Sequence, residues 1–237
     1  MKKSIGVTGI LFFLTSFCLA QELTLDEIMQ RYYVANNMEK LQEVNTIIMT
    51  GLRVQQDIMP LKIVRKRPDL YLLDFYVADL NAFQAYDGET AWVTSPWTGN
   101  AAPQVLQGSR ERDMKYQSDF DGMLYRWKEK GHLLKLEGID TLDTGEAYKI
   151  RLIRADSAIQ YYFIDRKDFL LKKQLTYRTF RGEEIAIETY FRNYRDVDGI
   201  PFAFLLETSY AGRSVSNEIE TIELNVPVED DLFRMPQ

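Results

Sequence analysis

The chain has 237 residues with 29 basic and 35 acidic side chains, so its formal net charge at pH 7 is −6. A protein with this balance lacks the basic surface that nucleic acid or an anionic membrane surface requires, and we predict neither as a partner. The length suits a single domain with its own hydrophobic core, and a monomer is expected.

The first twenty residues have the pattern of a cleaved secretory signal. A basic start, "MKK", precedes a short apolar run, and "CLA" at 18–20 has small residues at both positions of an A-x-A cleavage site. Cleavage after Ala20 would leave residues 21–237 as the mature domain, with 27 basic and 35 acidic groups and no cysteine. The alternative is lipid attachment at Cys18. It requires a small residue before the cysteine, and Phe17 stands at that position.

The mature chain begins with an amphipathic helix and then changes to strand patterns. Thr24 is a good N-cap with Glu27 three residues later, and apolar residues follow at helical spacing to about residue 36. Two long strands are predicted in "NTIIMTGLRVQQDI" and "LKIVRKRPDLYLLDFYV", the second broken by Pro68. A hairpin follows, because "DG" at 87–88 is a favoured two-residue turn between apolar strands.

Turn residues punctuate the second half of the chain at strand-length intervals. The stretches between them have strand-like composition: "EAYKIRLI", "AIQYYFI", "FLLKKQLTY", "EIAIETYFRNY", "IPFAFLLETSY" and "SNEIETIELN". No alternation of strands with helices and no linker interrupts them. The sequence therefore predicts a mainly β domain with about ten or eleven antiparallel strands.

One segment, residues 103–130, does not follow the strand pattern. Its turn signals are sparse, and its apolar residues are Met114, Phe120, Met123, Leu124 and Trp127. We predict one or two short helices with an apolar face, inserted between two halves of a long curved sheet. Together with the N-terminal helix they would cover the concave apolar face. Periodicity leaves open whether side chains fill the interior.

Aromatic residues at 161–163 bear on that question. Strand alternation sends Tyr161 and Phe163 to one face, and Tyr162 and Ile164 to the other. A strand that is apolar on both faces is typical of a sheet covered on both sides or of a lined cavity, and core packing is the alternative to a cavity.

Residues that could carry catalysis or hold a metal are few. His132 is the only histidine, and "KGHLLKL" around it indicates the start of a strand, so a structural role is expected. The sequence "DFDG" at 119–122 is faintly similar to a calcium loop but lacks the further oxygen ligands, and a solvated helix junction is expected instead. "EDD" at 229–231 should form a polar turn before Phe233. We predict no cofactor, no metal and no enzymatic activity.

Two motifs together resemble the LolA-like family of periplasmic lipoprotein carriers. "KRPDLY" at 66–71 is similar to the family's basic-Arg-Pro-x-Leu-aromatic run, and "DGETAW" at 87–92, followed by Pro96, is similar to its hairpin. The closing "DDLFRMPQ" resembles the family's terminal segment. "DVDGIPFAF" and "DFDGMLYRWKEKGHLLKL" are similar to forms of Bacteroidetes-type members. The resemblance spans nearly the whole mature chain.

The resemblance implies an open antiparallel half-barrel whose concave apolar face is lidded by helices. It implies a protein that binds lipoprotein acyl chains or another lipid and transfers them from an inner-membrane exporter to an outer-membrane acceptor. Arg67 matches the family's functional arginine, which contacts the lid and is tied to opening and release. The residues predicted to line the cavity are Leu70, Leu72, Trp92, Met114, Phe120, Leu124, Tyr161 and Phe163.

One departure from the family keeps a second function open. Leu72 and Leu73 stand where relatives often have a second arginine or a tryptophan. A periplasmic sensor or regulatory module that binds lipid with the same fold is therefore the alternative to a carrier.

Overall fold

The fold begins with two short helices. The computed structural model describes residues 22–180 and 182–236, so the predicted signal, Cys18 and the cleavage site lie outside the described residues. Helix α1 spans Leu25–Ala35, and Thr24 and Glu27 form the expected capping box at its start. Helix α2, Met38–Leu41, follows after a tight turn. The predicted N-terminal helix is confirmed.

In the described part of the chain, thirteen strands form one open antiparallel sheet. They are β1 Thr46–Val54, β2 Ile58–Lys66, β3 Leu70–Val77, β4 Leu80–Tyr86, β5 Ala91–Ser95, β6 Asn100–Val105, β7 Leu133–Leu142, β8 Gly145–Ile153, β9 Ile159–Asp165, β10 Leu171–Phe180, β11 Glu183–Val197, β12 Ile200–Tyr210 and β13 Arg213–Leu224. The predicted mainly β architecture with an open sheet and helical cover is confirmed.

The strand order determines the path of the chain. Along the sheet it is β6-β5-β4-β3-β2-β1-β13-β12-β11-β10-β9-β8-β7. The first six strands run outward as one meander, and the other seven return as a second meander from the opposite edge. Strands β1 and β13 join the two, with Ile47 opposite Leu224. The connection from β6 to β7 therefore crosses from one edge of the sheet to the other. We call this connection, residues 106–132, the lid segment; helix α3, Ser109–Ser118, lies within it.

The described sheet has thirteen strands rather than the ten or eleven predicted, and two local predictions were also wrong. The sheet has a strand, β6, that was not predicted, and it includes residues 103–105, which were assigned to a helical segment. The prediction of one or two short helices in that segment is confirmed by α3, and residues 119–131 form mostly turns. The β4–β5 connection has four residues, 87–90, rather than two, because the Asp87 carboxylate accepts the backbone N–H groups of Glu89 and Thr90 and stabilises a wider loop.

Each face of the sheet has its own apolar core. On the face opposite the helices, which we call the outer face, a cluster packs around the completely buried Phe233; its other buried members are Val64, Leu70, Leu72, Ala85 and Trp92. Phe233 ends the short helical turn Asp230–Phe233, so "EDD" does form a turn before it. The Trp92 indole N–H donates to the Phe233 carbonyl at 2.8 Å. The C-terminal segment thus covers the outer face.

Candidate functional site

The lid segment shows that the sheet curves toward the helices. The Gln117 side chain of α3 donates to the Tyr71 hydroxyl on β3 at 3.1 Å. One turn earlier, Asp113 accepts a hydrogen bond at 2.8 Å from Arg154, which follows β8. Strands β3 and β8 are eight positions apart in the sheet, or about 38 Å at ~4.8 Å per strand. A helix of ten residues is only about 15 Å long. Two residues one turn apart on this helix can contact both strands only if the helix side of the sheet is concave.

A band of apolar side chains on this concave face is left partly uncovered. Ile63, Met49 and Ile222 lie side by side on β2, β1 and β13, and Phe202 and Leu206 continue the band on β12. All five are half-buried rather than buried. Partly exposed apolar groups inside a curved sheet are suited to contact an apolar chain, because burying them further is favourable. We call these five residues the trough.

Helices cover the concave face around the trough. Ile28 and Met29 of α1 pack on Tyr148, Ile150 and other residues of β8 and β9. Met114 of α3 packs into the cluster of β3 to β5. The cover is therefore attached at both halves of the sheet, and the trough lies between the attachments.

Arg67, directly after β2, fastens the helical cover over one end of the trough. Its Nε donates to the Val44 carbonyl at 2.7 Å, and its Nη2 donates to the Leu41 carbonyl at 2.9 Å. The same guanidinium binds both oxygens of Asp121 in the lid segment, at 3.1 and 2.7 Å, and lies 4.3 Å from the centre of the Phe120 ring. Arg67 thus contacts both the end of α2 and the lid segment. We call this arrangement the latch.

The latch depends on ionised groups. Burial alone would raise the pKa of Asp121, but the hydrogen bonds and charge of Arg67, with help from Gln42 and Lys130, hold that pKa below its ordinary value. Next to it, Arg65 donates to the Asp119 carbonyl, and burial lowers the pKa of Arg65. Arg65 and Arg67 therefore both donate hydrogen bonds to the same four-residue turn, residues 119–122.

That turn, "DFDG" at 119–122, is not the solvated junction that was expected. Lys130 donates to both oxygens of Asp119 at 2.8 and 2.6 Å and to the Gly122 carbonyl. The Asp119 and Asp121 side chains are each only 17% exposed, because Lys130 and Arg67 cover them. The Asp121 carboxylate therefore anchors the lid segment to Arg67, whereas the Asp119–Lys130 pair stabilises the turn within the lid segment.

A second arginine, Arg154, fastens α3 and was not found from the sequence. Its side chain is only 6% exposed and pairs with Asp113 and Asp156, while its guanidinium lies 4.3 Å from the centre of the Tyr116 ring. The signal available was "RADS" before a strand, which indicates a turn but not a partner. Only the fold brings α3 beside it.

His132 contributes to the same region as a buried structural residue. It is 2% exposed, and its Nδ1 accepts the Ala155 backbone N–H at 3.2 Å, as expected of a structural histidine. Burial, followed by the charge of Lys130, lowers the pKa of His132. Within the described residues, no group of three or more His, Cys, Asp or Glu side chains could hold a metal ion. In the same part of the chain, no helix is long and apolar enough to cross a membrane.

The structure separates the residues predicted to line the cavity. Met114, Phe120 and Leu124 lie on the concave side. The others lie on the outer face, and their assignment to the cavity was wrong: Leu70, Leu72, Trp92, Tyr161 and Phe163. The reason is strand parity, since a shift of one residue exchanges the two faces. On β3 the concave positions are Tyr71 and Leu73.

The trough residues themselves were not predicted. The period-two pattern of "TIIMTGL" places Ile47, Met49 and Gly51 on one face, which is the concave face. That signal was present in the sequence, but the other face of the same strands is also apolar. Nothing in the pattern says which face the helices cover.

Two clefts in the described part of the chain lie away from the trough. One, of about 510 Å³, includes Asp143, Lys173, Arg192 and Glu207 in its lining, and Arg192 is paired with both acids. The other, of about 360 Å³, lies beside the C-terminal segment near Lys66. Neither cleft contains a trough residue.

Comparison with known proteins relates the chain through its fold. No protein-family model and no curated protein matches the sequence. A DUF1329 family protein from Desulfovibrio piger has a similar structure, with a TM-score of 0.60 and 14% identity over 87% of this chain and 97% of that one. A LolA superfamily protein from Nitrosomonas europaea gives a TM-score of 0.58 and 14% identity, with 90% and 98% covered. A domain described as an outer membrane lipoprotein-sorting protein, from Vibrio parahaemolyticus, gives 0.55 and 12%, with 87% and 97% covered. The chain therefore has a LolA-like fold.

Proposed function

We propose that this protein is a non-enzymatic periplasmic carrier that binds acyl chains of lipoproteins, or of related lipids, along the trough. The observation that carries the proposal is the band of half-buried apolar side chains on the concave face, beside a helical cover held by the latch. The fold shared with a LolA superfamily protein supports the same function. A periplasmic location is supported by that likeness and by the signal pattern of residues 1–20.

The energies are compatible with a lid that acyl binding can displace. Each buried methylene contributes about 0.8 kcal/mol, so ten of them contribute roughly 8 kcal/mol before the costs of association. The latch is worth less, because its groups are partly exposed: charge-assisted hydrogen bonds contribute about 1.5–3 kcal/mol each and do not add fully. Burial of the chain and opening of the latch therefore have free energies of the same order, so that a longer chain favours the open lid. Re-closure of the latch then favours release of the chain.

Two leucines on β12 test where the acyl chain binds. Leu206 belongs to the trough, whereas its neighbour Leu205 faces the outer side, and both are half-buried. We expect Leu206→Gln to weaken the binding of a fluorescent fatty-acid analogue by about tenfold, since it removes apolar contact area. Leu205→Gln should leave binding within twofold of the parent protein. Equal losses in both variants, or a parent protein that binds no analogue, would remove the basis of the proposal.

A transfer assay separates a carrier from a sensor. The lipid-loaded protein is mixed with acceptor vesicles, and the loss of bound lipid is followed over time. A carrier should pass its lipid to the vesicles within the assay. A protein that binds lipid tightly but keeps it would instead support the sensor or regulatory module.

A further inference from the structure

Arg53, an arginine without a carboxylate partner among the described residues, lies at the end of the trough away from the latch. Arg53 lies on β1 opposite Met59 of β2 and Asn217 of β13, and Asn217 in turn lies opposite Leu206 of the trough. Because alternate residues of a strand share a face, Arg53 is on the same side as Met49. Its guanidinium is therefore part of the concave face.

The charge of Arg53 has no counter-ion in the described part of the chain. Its Nη1 donates to the Asn217 side chain at 3.2 Å, and its guanidinium lies 5.0 Å from the centre of the Phe75 ring. The Nε is buried and has no hydrogen-bond partner. Arg67 and Arg154 on the same side are paired with carboxylates. Arg65, whose Nε also has no partner within the described residues, donates from Nη2 to the Asp119 carbonyl. Burial lowers the pKa of Arg53, so its positive charge is retained against a desolvation cost.

An anion with two oxygens would satisfy this group. A carboxylate or phosphate can accept parallel hydrogen bonds from Nε and Nη2 of one guanidinium, and such charge-assisted pairs are stronger than neutral hydrogen bonds. Close by, Trp97 lies 6.3 Å from Phe75 between ring centres and is 47% exposed. Tryptophan of this kind is suited to the boundary between an apolar chain and water. Arg53 could therefore bind an oxyanion next to an apolar surface formed by Phe75 and Trp97.

The distance to the latch fits an extended chain. Ile47, which packs with Phe120 beneath the latch, is six residues before Arg53 on β1, or about 20 Å at ~3.3 Å per residue. The trough residues lie between these two points. An extended long-chain acyl group has this length.

We propose that Arg53 binds the ionised head group, carboxylate or phosphate, of a single-chain anionic lipid whose tail lies along the trough toward the latch. This inference rests on the proposed function. The ligand is thus a fatty acid or a related anionic amphiphile, and Arg53 selects it over a neutral lipid with the same tail.

Paired ligands and matched variants test this assignment. Binding of hexadecanoate and of hexadecanol is measured by displacement of a fluorescent acyl probe from the full mature chain. In Arg53→Met, which keeps the apolar stem on Phe75, we expect affinity for hexadecanoate to fall about tenfold and affinity for hexadecanol to stay unchanged. Arg53→Lys should fall between Arg53→Met and the parent protein. Arg213→Met removes an exposed arginine at the same end of the sheet and should change neither.

The outcomes distinguish this inference from the function on which it rests. If the parent protein binds neither ligand, the proposed function fails and this inference fails with it. If both ligands bind and Arg53→Met weakens neither, or weakens both equally, only the assignment of Arg53 is overturned. Inorganic phosphate at millimolar concentration should not displace hexadecanoate. If phosphate displaces hexadecanoate from the parent protein but not from Arg53→Met, Arg53 is part of a site for free oxyanions. That result would overturn the assignment of Arg53 to a lipid head group.

Discussion

Replacing Arg67 with leucine should release the lid segment without unfolding the sheet. The change removes four hydrogen bonds: two to Asp121 and one each to the Leu41 and Val44 carbonyls. Each is charge-assisted and worth about 1.5–3 kcal/mol in isolation. The side chains of Arg67 and Asp121 are 22% and 17% exposed, so screening and non-additivity reduce the sum. We expect the closed lid to lose about 3 kcal/mol, or on the order of 100-fold in its opening equilibrium.

Hydrogen exchange measures this opening directly. In Arg67→Leu, backbone amides of residues 119–131 and 38–45 should exchange on the order of 100-fold faster, while β8 and β9 keep their protection. Arg67→Lys should show a smaller increase, because an ammonium can pair with Asp121 but cannot hold both carbonyls as a fork does. Arg67→Leu should bind lipid normally but transfer it slowly to vesicles. The reason is that the variant lacks the latch, whose re-closure favours release of the lipid in the parent protein.

A matched ion pair elsewhere serves as the control. Arg166 donates to Glu146 at 2.7 Å, the same kind of pair as in the latch, but it lies on a surface turn with greater exposure. Arg166→Leu should leave the stability of the fold and the exchange in the lid segment nearly unchanged, because solvent screens an exposed ion pair. The reasoning is refuted if Arg67→Leu leaves lid exchange at the parent rate, or if Arg67→Leu transfers lipid as fast as the parent protein.

Three further predictions concern stability. The folded-state pKa of Asp121 is held below its ordinary value. Its pairing with Arg67 therefore stabilises the fold above about pH 4, and this stabilisation is lost as the pH falls through the folded-state pKa. Urea unfolding should show the loss of stability at low pH, and the loss should be smaller in Asp121→Asn. The pKa of His132, lowered by burial, means that stability also falls as the pH drops below about 6.5. NMR titration of this single histidine in untagged protein should give a pKa below the ordinary value, and a normal value would contradict its buried neutral state. A Cβ at Gly51 would lie 2.0 Å from the Glu218 carbonyl oxygen. Gly51→Ala should therefore force β1 and β13 apart and lower the free energy of unfolding in urea by about 2 kcal/mol or more. Unchanged stability would contradict this close approach.

Local patterns were sufficient for most of the fold. The capping box at Thr24 and the alternation between turn signals located α1 and most of the strands, because each depends on residues close in sequence. Strand β6 was missed because "NAAPQV" contains two alanines and a proline, which are poor strand residues and are tolerated at a sheet edge. Edge strands carry a weak signal for this physical reason.

The faces of the sheet could not be assigned from the sequence. Leu70 and Leu72 are as apolar as Leu73, and what distinguishes their faces is the C-terminal Phe233 on one side and helices on the other. Those partners are distant in sequence, so alternation alone gives no sign of which side is concave.

Lysine side chains explain why Phe163 was wrongly assigned to the cavity. On β9, Phe163 is buried on the outer face next to Lys149 and Lys173, whose amines lie 5.8 and 5.3 Å from its ring centre. Lysine stems can cover an aromatic ring that sequence reasoning assigns to a cavity. Arg67 was identified by resemblance to a motif, whereas Arg53 and Arg154 depend on neighbours that only the folded chain supplies.

The most direct test of the central claim is photo-crosslinking with a fatty acid that carries a diazirine near the middle of its chain. After irradiation of the lipid-loaded protein, peptide mass spectrometry locates the adducts. We predict adducts on the trough strands at Met49, Ile63 and Leu206, and their loss when unlabelled hexadecanoate competes. Adducts confined to the outer face around Leu72 and Phe163, or labelling that hexadecanoate does not reduce, would contradict acyl binding on the concave face.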